Sequence, residues 1–291
     1  MIDLHTHTTA SDGRCTPQEL VGRAAGAGVQ VLSVTDHDTT ASAAESQAAC
    51  AQAGVEFVAG IEVTAVVDGV DVHILGYFID PDADALSTFL AVQRRRRVDR
   101  VRQIVERLAG LGIVLDADAI LRPGESGEGK AVGRPSIARA LVTGGHVADT
   151  SEAFEKYLKS GAPAFVSRLG PDPTQVFAQI HTAGGIVSMA HPGLTKRDDL
   201  IPVFAATGLD AIEAHHSKHS ADDTRRYLAL AQQHGLGVSG GSDYHGDPSH
   251  DAGGPGSVAL PAERFHDLKR RWATRRATAS GRPASRSVTS S

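Results

Sequence analysis

Cysteine and long apolar runs are scarce in this 291-residue chain, and each scarcity excludes a class of protein. Cys15 and Cys50 are the only cysteines, too few for a disulfide framework or a thiolate zinc site. No window approaches the roughly 20 apolar residues that span a bilayer. The amino terminus lacks the basic and apolar segments of a secretory signal. We therefore expect a cytoplasmic protein whose metal ions would be held by nitrogen and oxygen.

Basic charge is also in short supply. Lys and Arg number 29 against 34 Asp and Glu, a net charge of −5, so a global basic face for nucleic acid is absent. Apolar residues make up 41% and charged residues 22% of the chain, which is ordinary for a globular enzyme. The length suits one α/β domain, or one domain that carries an insertion.

Strand-like and helix-like segments alternate at both ends of the chain. The predicted strands are 1–4, 29–35, 55–63, 70–77, 185–190, 210–214 and 235–239. The predicted helices between and after them are 16–27, 40–53, 172–183, 198–207, 221–233 and 262–273. This alternation indicates parallel strands joined by crossover helices, hence a barrel or an open doubly wound sheet.

The middle of the chain breaks this rhythm. Strand signals are few between 82 and 170, where we predict a long helix at 84–111 and shorter helices at 135–143 and 151–159. The glycine-rich stretch 123–133 is typical of a mobile loop. The predicted division is a barrel in two parts, 1–80 and 171–274, a helical insertion or cap at 81–170, and a disordered polar tail at 275–291.

Histidines and carboxylates follow the predicted strands at the points where they end. His5 and His7 alternate on a strand and so project to the same face. The carboxyl ends of barrel strands carry catalytic groups, so similar residues at other strand ends would converge there. His73 lies within an apolar strand, where an imidazole needs a partner; a satisfied core histidine is the alternative. The nine candidate ligands, catalytic residues if the site is active, are His5, His7, Asp12, His37, Glu62, His73, His191, Asp243 and His245.

Six histidines and three carboxylates exceed the ligand number of a single ion. They imply two or three divalent cations that share a bridging carboxylate. Imidazole mixed with carboxylate favours Mn²⁺, Fe²⁺ or Zn²⁺ over Ca²⁺, and we expect Mn²⁺ first.

These motifs resemble the PHP family, named for polymerase and histidinol phosphatase. The matching motifs are HTH at His5 and His7, TDH at Asp36 and His37, GIE at Glu62, DVH at His73, AHP at His191 and SDYH at Asp243 and His245. The resemblance implies a distorted seven-stranded (β/α) barrel that binds up to three metals. It implies one ion held by His5, His7, Glu62 and Asp243, a second by Glu62, His73 and His191, and a third by Asp12, His37 and His245.

Three further residues are substrate-side candidates by the same resemblance. Arg134, in GRPSIARAL, would bind a phosphate with its planar fork of donors. Related proteins often have histidine where this chain has Ser136. His216 and His219, in EAHHSKH, would face the substrate. An ordinary surface or core role is the alternative for all three. The arginine run 94–97 is typical of the solvated face of an amphipathic helix, with an oligonucleotide contact as the alternative.

The expected function is that of a metal-dependent phosphoesterase, in which metal-bound hydroxide attacks phosphorus. Asp12 in the third site resembles the stand-alone nucleotide phosphoesterases of the family. The expected substrates are a nucleoside 3′,5′-bisphosphate, cleaved to the 5′-monophosphate, or a short 5′-phosphorylated oligonucleotide. Histidinol phosphatase, a carbon–nitrogen hydrolase and a non-catalytic nucleotide-binding module are the alternatives. No feature predicts an obligate protein partner.

Overall fold

A computed structural model describes residues 1–248 and 251–279 and shows a seven-stranded sheet in simple sequential order. The strands are β1 Ile2–Asp3, β2 Val31–Val34, β3 Glu56–Val67, β4 Val70–Tyr77, β5 Ile186–Met189, β6 Ala211–His216 and β7 Gly237–Gly241. The two edges meet, because Leu4 N donates to Gly240 O at 3.2 Å and His7 N donates to Tyr244 O at 2.9 Å. The sheet is therefore a nearly closed barrel, as the resemblance to the PHP family implied.

Strand β4 departs from the expected parallel arrangement. It runs antiparallel to both β3 and β5, whereas the other neighbouring pairs are parallel. Asp68 and Gly69 connect β3 to β4 with φ angles of 51° and 76°. Two residues at positive φ form the tight turn that antiparallel strands use, whereas a parallel connection needs a dozen residues or more. The expectation of an all-parallel sheet was wrong at this strand.

The helices lie close to the predicted positions and begin with recognisable caps. Their bounds are α1 Pro17–Gly26, α2 Ala43–Ala53, α3 Asp84–Gly110, α4 Ala117–Glu125, α5 Arg134–Thr143, α6 Thr150–Ala153, α7 Pro173–Thr182, α8 Pro192–Thr195, α9 Leu200–Thr207, α10 Ala221–Gln233 and α11 Ala262–Ala279. At the start of α1, Thr16 directly precedes Pro17 and forms a capping box with Glu19. The capping box satisfies exposed amide groups of the first turn. None of the described helices is long and apolar enough to cross a membrane.

Two local predictions need correction. Helix α4 extends through Pro123 to Glu125, so the predicted loop at 123–133 begins later than expected. Helix α11 continues to Ala279, beyond the point where the polar tail was predicted to start. The rest of that tail, 280–291, lies outside the described residues.

Helix α3 packs against two separate hydrophobic clusters. Leu86 and Leu90, near its start, belong to the core around the barrel strands. Val101 and Leu108, further along, belong to a second cluster shared with α4, α5 and the segment up to Val166. The helix therefore holds the segments after it against the barrel. The division of the chain at 81 and 170 remains a prediction.

Candidate metal centre

Glu62 lies at the centre of the candidate site. It sits on β3 with 1% of its side chain exposed. Its Oε2 is 3.3 Å from Nε2 of His5 and 3.3 Å from Nε2 of His7. The same oxygen is 3.1 Å from Nδ1 of His37. One carboxylate oxygen thus faces three imidazoles that come from two different strand ends.

The second oxygen of Glu62 faces two more rings. Its Oε1 is 2.7 Å from Nδ1 of His73 and 3.1 Å from Nε2 of His191. Because the two oxygens contact different sets of imidazoles, Glu62 has the geometry of a carboxylate that bridges neighbouring cations.

Asp243 occupies the other side of the same histidines. Its Oδ1 is 3.3 Å from Nε2 of His5 and 3.2 Å from Nε2 of His7. Its backbone has φ 55°, and that of His191 has φ 26°. Such values are unfavourable for residues other than glycine and are concentrated at functional sites.

Asp12 forms a further group beside this one. Its carboxylate lies 3.4 Å from Nε2 of His245, 3.6 Å from Nε2 of His37 and 3.9 Å from Nδ1 of His7. Asp36, the carboxylate of the TDH motif, accepts a hydrogen bond from the Thr8 amide at 2.8 Å. It also accepts hydrogen bonds from the hydroxyl groups of Thr8, Ser11 and Ser42. Asp36 is therefore an anchor for the loop that carries Asp12.

Unpartnered ring nitrogens show that these residues suit divalent cations. Both ring nitrogens of His7, and Nδ1 of His37 and of His191, are buried and make no hydrogen bond in the described part of the chain, although carboxylate oxygens lie 3.1–3.3 Å from Nε2 of His7 and Nδ1 of His37. Buried polar atoms are normally satisfied, and coordination to a cation would satisfy imidazole nitrogens of this kind.

All nine predicted ligands come together in four overlapping groups whose ligand atoms lie within 4.8 Å of one another. The groups are His7, Asp12, His37 and His245; His5, His216 and Asp243; His5, Glu62 and His191; and His37, Glu62 and His73. Within these groups His191 lies with His5 and His73 lies with His37, while His73 and His191 also contact the same oxygen of Glu62, the pairing that the family resemblance implied. His216 joins two of the predicted ligands.

The carboxylates of the site are strongly held in their ionised form. Burial opposes ionisation, but surrounding histidines lower the pKa of Asp12, Glu62 and Asp243 well below the usual range. Burial likewise lowers the pKa of His37 well below its ordinary value. For His245, burial is outweighed by Asp12 and Asp243, which raise its pKa to about 10. The carboxylates are thus held in the ionised form, which is the form that binds a cation.

Glu213 is a further candidate residue of the site, and the motifs did not reveal it. It is fully buried on β6, with Oε1 3.0 Å from Nδ1 of His5. Its Oε2 accepts a hydrogen bond from the His191 amide at 2.8 Å. A carboxylate that binds the outer nitrogen of a histidine orients the other nitrogen toward a metal. The available signal was an acidic residue between Ile212 and Ala214, within a predicted strand.

Replacing Glu213 by Gln is expected to weaken metal binding by about 10- to 100-fold, because His5 loses its charged partner. Titration of the metal-free protein with Mn²⁺ by calorimetry measures the change. Glu56→Gln is the matched control, since Glu56 is an exposed residue on β3 paired with Lys269. Equal affinities in the two variants would rule out the orienting role of Glu213.

The three substrate-side candidates occupy different environments. Arg134 is half-buried; its Nη1 donates to Leu158 O at 3.2 Å and its Nη2 lies 3.5 Å from Asp71. His216 is buried, with Nε2 3.3 Å from Asp243, within the candidate metal groups. In His219 both ring nitrogens contact the backbone, at the Gly193 amide and the Ala214 carbonyl. His219 therefore ties α8 to β6.

The arginine run is not simply a solvated face, because Arg97 is only 6% exposed. Its Nε donates to the carboxylate of Asp38 and its Nη2 donates to Thr64 Oγ1 at 3.1 Å. Position 97 is four residues before Val101, so it lies on the buried face of α3. Asp38 has the positive φ of a turn residue, 53°, and is at the same time a buried ion-pair partner.

Arg97 belongs to a larger set that we call the arginine cluster. Its members are the guanidinium groups of Arg97, Arg100, Arg134 and Arg168 and the carboxylates of Asp38 and Asp71. Asp71 is two residues before His73 on β4, which places the cluster beside the metal groups.

Comparison with known proteins decides the family. The PHP domain profile matches residues 3–121. The chain is 38% identical over 259 residues to a 3′,5′-nucleoside bisphosphate phosphatase of Chromobacterium violaceum, covering 87% of this chain and 90% of that protein. The chain belongs to the PHP family. This PHP protein is also 36% identical over 254 residues to the 5′-3′ exoribonuclease Rnm of Escherichia coli, covering 84% of this chain and 85% of the relative.

A solved structure described as a metal-dependent phosphoesterase from Bifidobacterium adolescentis matches this PHP protein with a TM-score of 0.85 at 33% identity. The match covers 92% of this chain and 95% of that one. The fold, the family and the converging ligands agree, and this PHP protein is a metal-dependent phosphoric ester hydrolase.

Proposed function

We propose that this PHP protein hydrolyses a phosphate ester of a nucleotide, with a nucleoside 3′,5′-bisphosphate as the first substrate and a 5′-phosphorylated oligonucleotide as the second. Two or three divalent cations, Mn²⁺ first, would be held by the nine predicted ligands. The observation that carries the proposal is the convergence of these ligands on Glu62 beside the arginine cluster. The names of the two relatives support a nucleotide substrate.

The arginine cluster supplies the charge that a phosphate needs. Its four guanidinium groups face two carboxylates, which leaves two positive charges in excess. Burial lowers the pKa of Arg168 to about 10 and that of Arg100 to about 9, and neighbouring arginines add to both shifts. Nε of Arg168 is buried and lies 3.4 Å from a carboxylate oxygen of Asp71, but it makes no hydrogen bond among the described residues. A phosphate dianion would satisfy both the charge and the donor.

The chain's own residues divide the remaining work. Divalent cations, when bound by the nine predicted ligands, would supply Lewis-acid charge and lower the pKa of a bound water. Glu62 and Asp243 keep the imidazoles of His5 and His7 in a fixed arrangement, and Glu213 fixes the orientation of His5. The excess charge of the arginine cluster would offset negative charge that develops on the phosphoryl oxygens. We also propose a cytoplasmic location, in keeping with the free thiols of Cys15 and Cys50.

The deciding experiment measures phosphate release from adenosine 3′,5′-bisphosphate with added Mn²⁺, beside a 5′-phosphorylated RNA oligomer and histidinol phosphate. We expect release from the bisphosphate and its loss in Asp243→Ala and His191→Ala. Turnover of histidinol phosphate alone would show that the protein is a histidinol phosphatase instead. Failure to release phosphate or mononucleotide from either nucleotide substrate would overturn the proposal.

Replacing Arg134 by Met tests the phosphate contact. Hydrogen bonds to charged groups contribute about 1.5–3 kcal/mol, so we expect KM for the bisphosphate to rise by about tenfold or more. Steady-state kinetics at saturating Mn²⁺ measure the change. Arg96→Met is the control, because Arg96 is exposed on α3. An unchanged KM in Arg134→Met would remove Arg134 from the site.

A further inference from the structure

A cleft of about 360 Å³ opens directly beside the metal groups. Its lining residues are Asp12, Pro135, Arg139, Thr150, Ser151, Phe154, Lys218, His245 and Asp247. Asp12 and His245 are two of the nine predicted metal ligands, so any molecule in the cleft would adjoin a phosphate held at the metals. The volume lies within the range of small-molecule sites.

The lining of the cleft has an apolar part and a charged part. Pro135 and Phe154 supply apolar surface, whereas Arg139 and Lys218 supply positive charge beside the carboxylates of Asp12 and Asp247. Nη1 of Arg139 donates to the Asp12 carbonyl at 3.0 Å, and this hydrogen bond holds the guanidinium group beside the candidate metal ligand Asp12. Flat apolar surface together with cations is the chemistry that a nucleoside phosphate needs.

Phe154 begins an unusual turn of the backbone. Residues Phe154–Leu158 form a π-helical turn directly after α6. Such turns are rare and often occur at functional sites, because the extra residue changes the direction in which side chains project. Phe154 is half-buried and lines the cleft, so its ring is partly available to a ligand.

Arg134 connects this aromatic residue to the arginine cluster. Its guanidinium carbon lies 5.7 Å from the centre of the Phe154 ring. The same guanidinium lies 3.5 Å from Asp71. A single side chain therefore contacts both the arginine cluster and the aromatic ring that lines the cleft.

We propose that this cleft receives the nucleoside of the substrate, with the base against Phe154 and Pro135 and the second phosphate near Arg139 and Lys218. The inference rests on the proposed nucleotide substrate. Stacking on an aromatic ring does not read the edges of a base.

The test compares adenosine 3′,5′-bisphosphate with the corresponding sugar bisphosphate that lacks a base. Phe154→Leu is expected to lower the ratio of their kcat/KM values by about tenfold, the size of a lost base-stacking contact. Phe154→Tyr retains the ring and should keep the ratio. Tyr157→Leu is the matched control, since Tyr157 lies in the same turn and packs against the same second hydrophobic cluster as Phe154 but is not among the residues that line the cleft.

An unchanged ratio of kcat/KM values in Phe154→Leu, including one that results from equal losses for both substrates, would overturn the assignment of the cleft to the nucleoside. Binding of adenosine, which has no phosphate, provides a readout independent of turnover. Saturation-transfer NMR should detect adenosine on the wild type and on Tyr157→Leu but not on Phe154→Leu. This pattern would support the cleft even if the wild type released no phosphate, a result that would reject the proposed function alone. Equal adenosine signals in all three proteins would reject the cleft.

Discussion

Replacing Glu62 by Gln is expected to reduce phosphate release by more than about 100-fold, since even an orienting residue behind a metal ligand contributes 10- to 100-fold. Glu62 contacts five imidazoles through its two oxygens, and Gln offers only one oxygen without charge. Two neighbouring cations would then lose the carboxylate proposed to bridge them. Rates with saturating Mn²⁺, together with metal content after dialysis, measure the loss.

The control for this variant is again Glu56→Gln, on the same strand but exposed and paired with Lys269. It should retain both rate and metal content. A Glu62→Gln protein that is folded, binds the wild-type amount of metal and hydrolyses the bisphosphate at the wild-type rate would show that Glu62 does not bridge cations.

Replacing Asp38 by Asn is expected to lower the free energy of unfolding by about 3–5 kcal/mol, the usual effect of leaving one partner of a buried ion pair alone. Arg97 would keep its charge, buried at 6% exposure, and lose its carboxylate partner. Asn has the size of Asp and tolerates the φ of 53° found here, so the change isolates charge from backbone strain. Urea denaturation of the metal-free protein measures the difference.

Asp99→Asn is the matched control on stability. Asp99 pairs with Arg102 one turn further along α3, where both side chains are about half exposed. Exposed ion pairs contribute little, so this variant should unfold close to the wild-type midpoint. Similar midpoints for Asp38→Asn and Asp99→Asn would show that the buried pair does not stabilise the fold.

Local periodicity was enough to predict most of the strands and helices, but it left a barrel and an open sheet as alternatives, and the family resemblance implied the barrel. Alternation along β1 places His5 and His7 on one face, and the carboxyl ends of barrel strands lie together, so their convergence with distant residues such as Asp243 could be expected. Helix positions followed from caps such as Thr16 and from apolar spacing. The dipeptide Asp68-Gly69 between β3 and β4 is typical of a hairpin turn. The alternation of strands and helices elsewhere in the chain indicated parallel strands instead.

Pairings between distant residues could not be read from the chain. Arg97 belongs to a run of arginines that is typical of a solvated surface, and only the packing of α3 against the barrel brings it to Asp38. Glu213 becomes an orienting residue only because β6 places it behind His5. No local rule reports which residues meet across 59 or 208 positions of sequence.

The sequence by itself determined the type of site, because strand periodicity and ligand chemistry are local properties of the chain. The tertiary structure decided which ligands lie together: it placed His216 beside Asp243 and paired His73 with His37 around Glu62. These groupings depend on distances between strand ends to within an ångström or so. Barrel closure and the antiparallel course of β4 set those distances, and both arise from contacts between segments far apart in the chain.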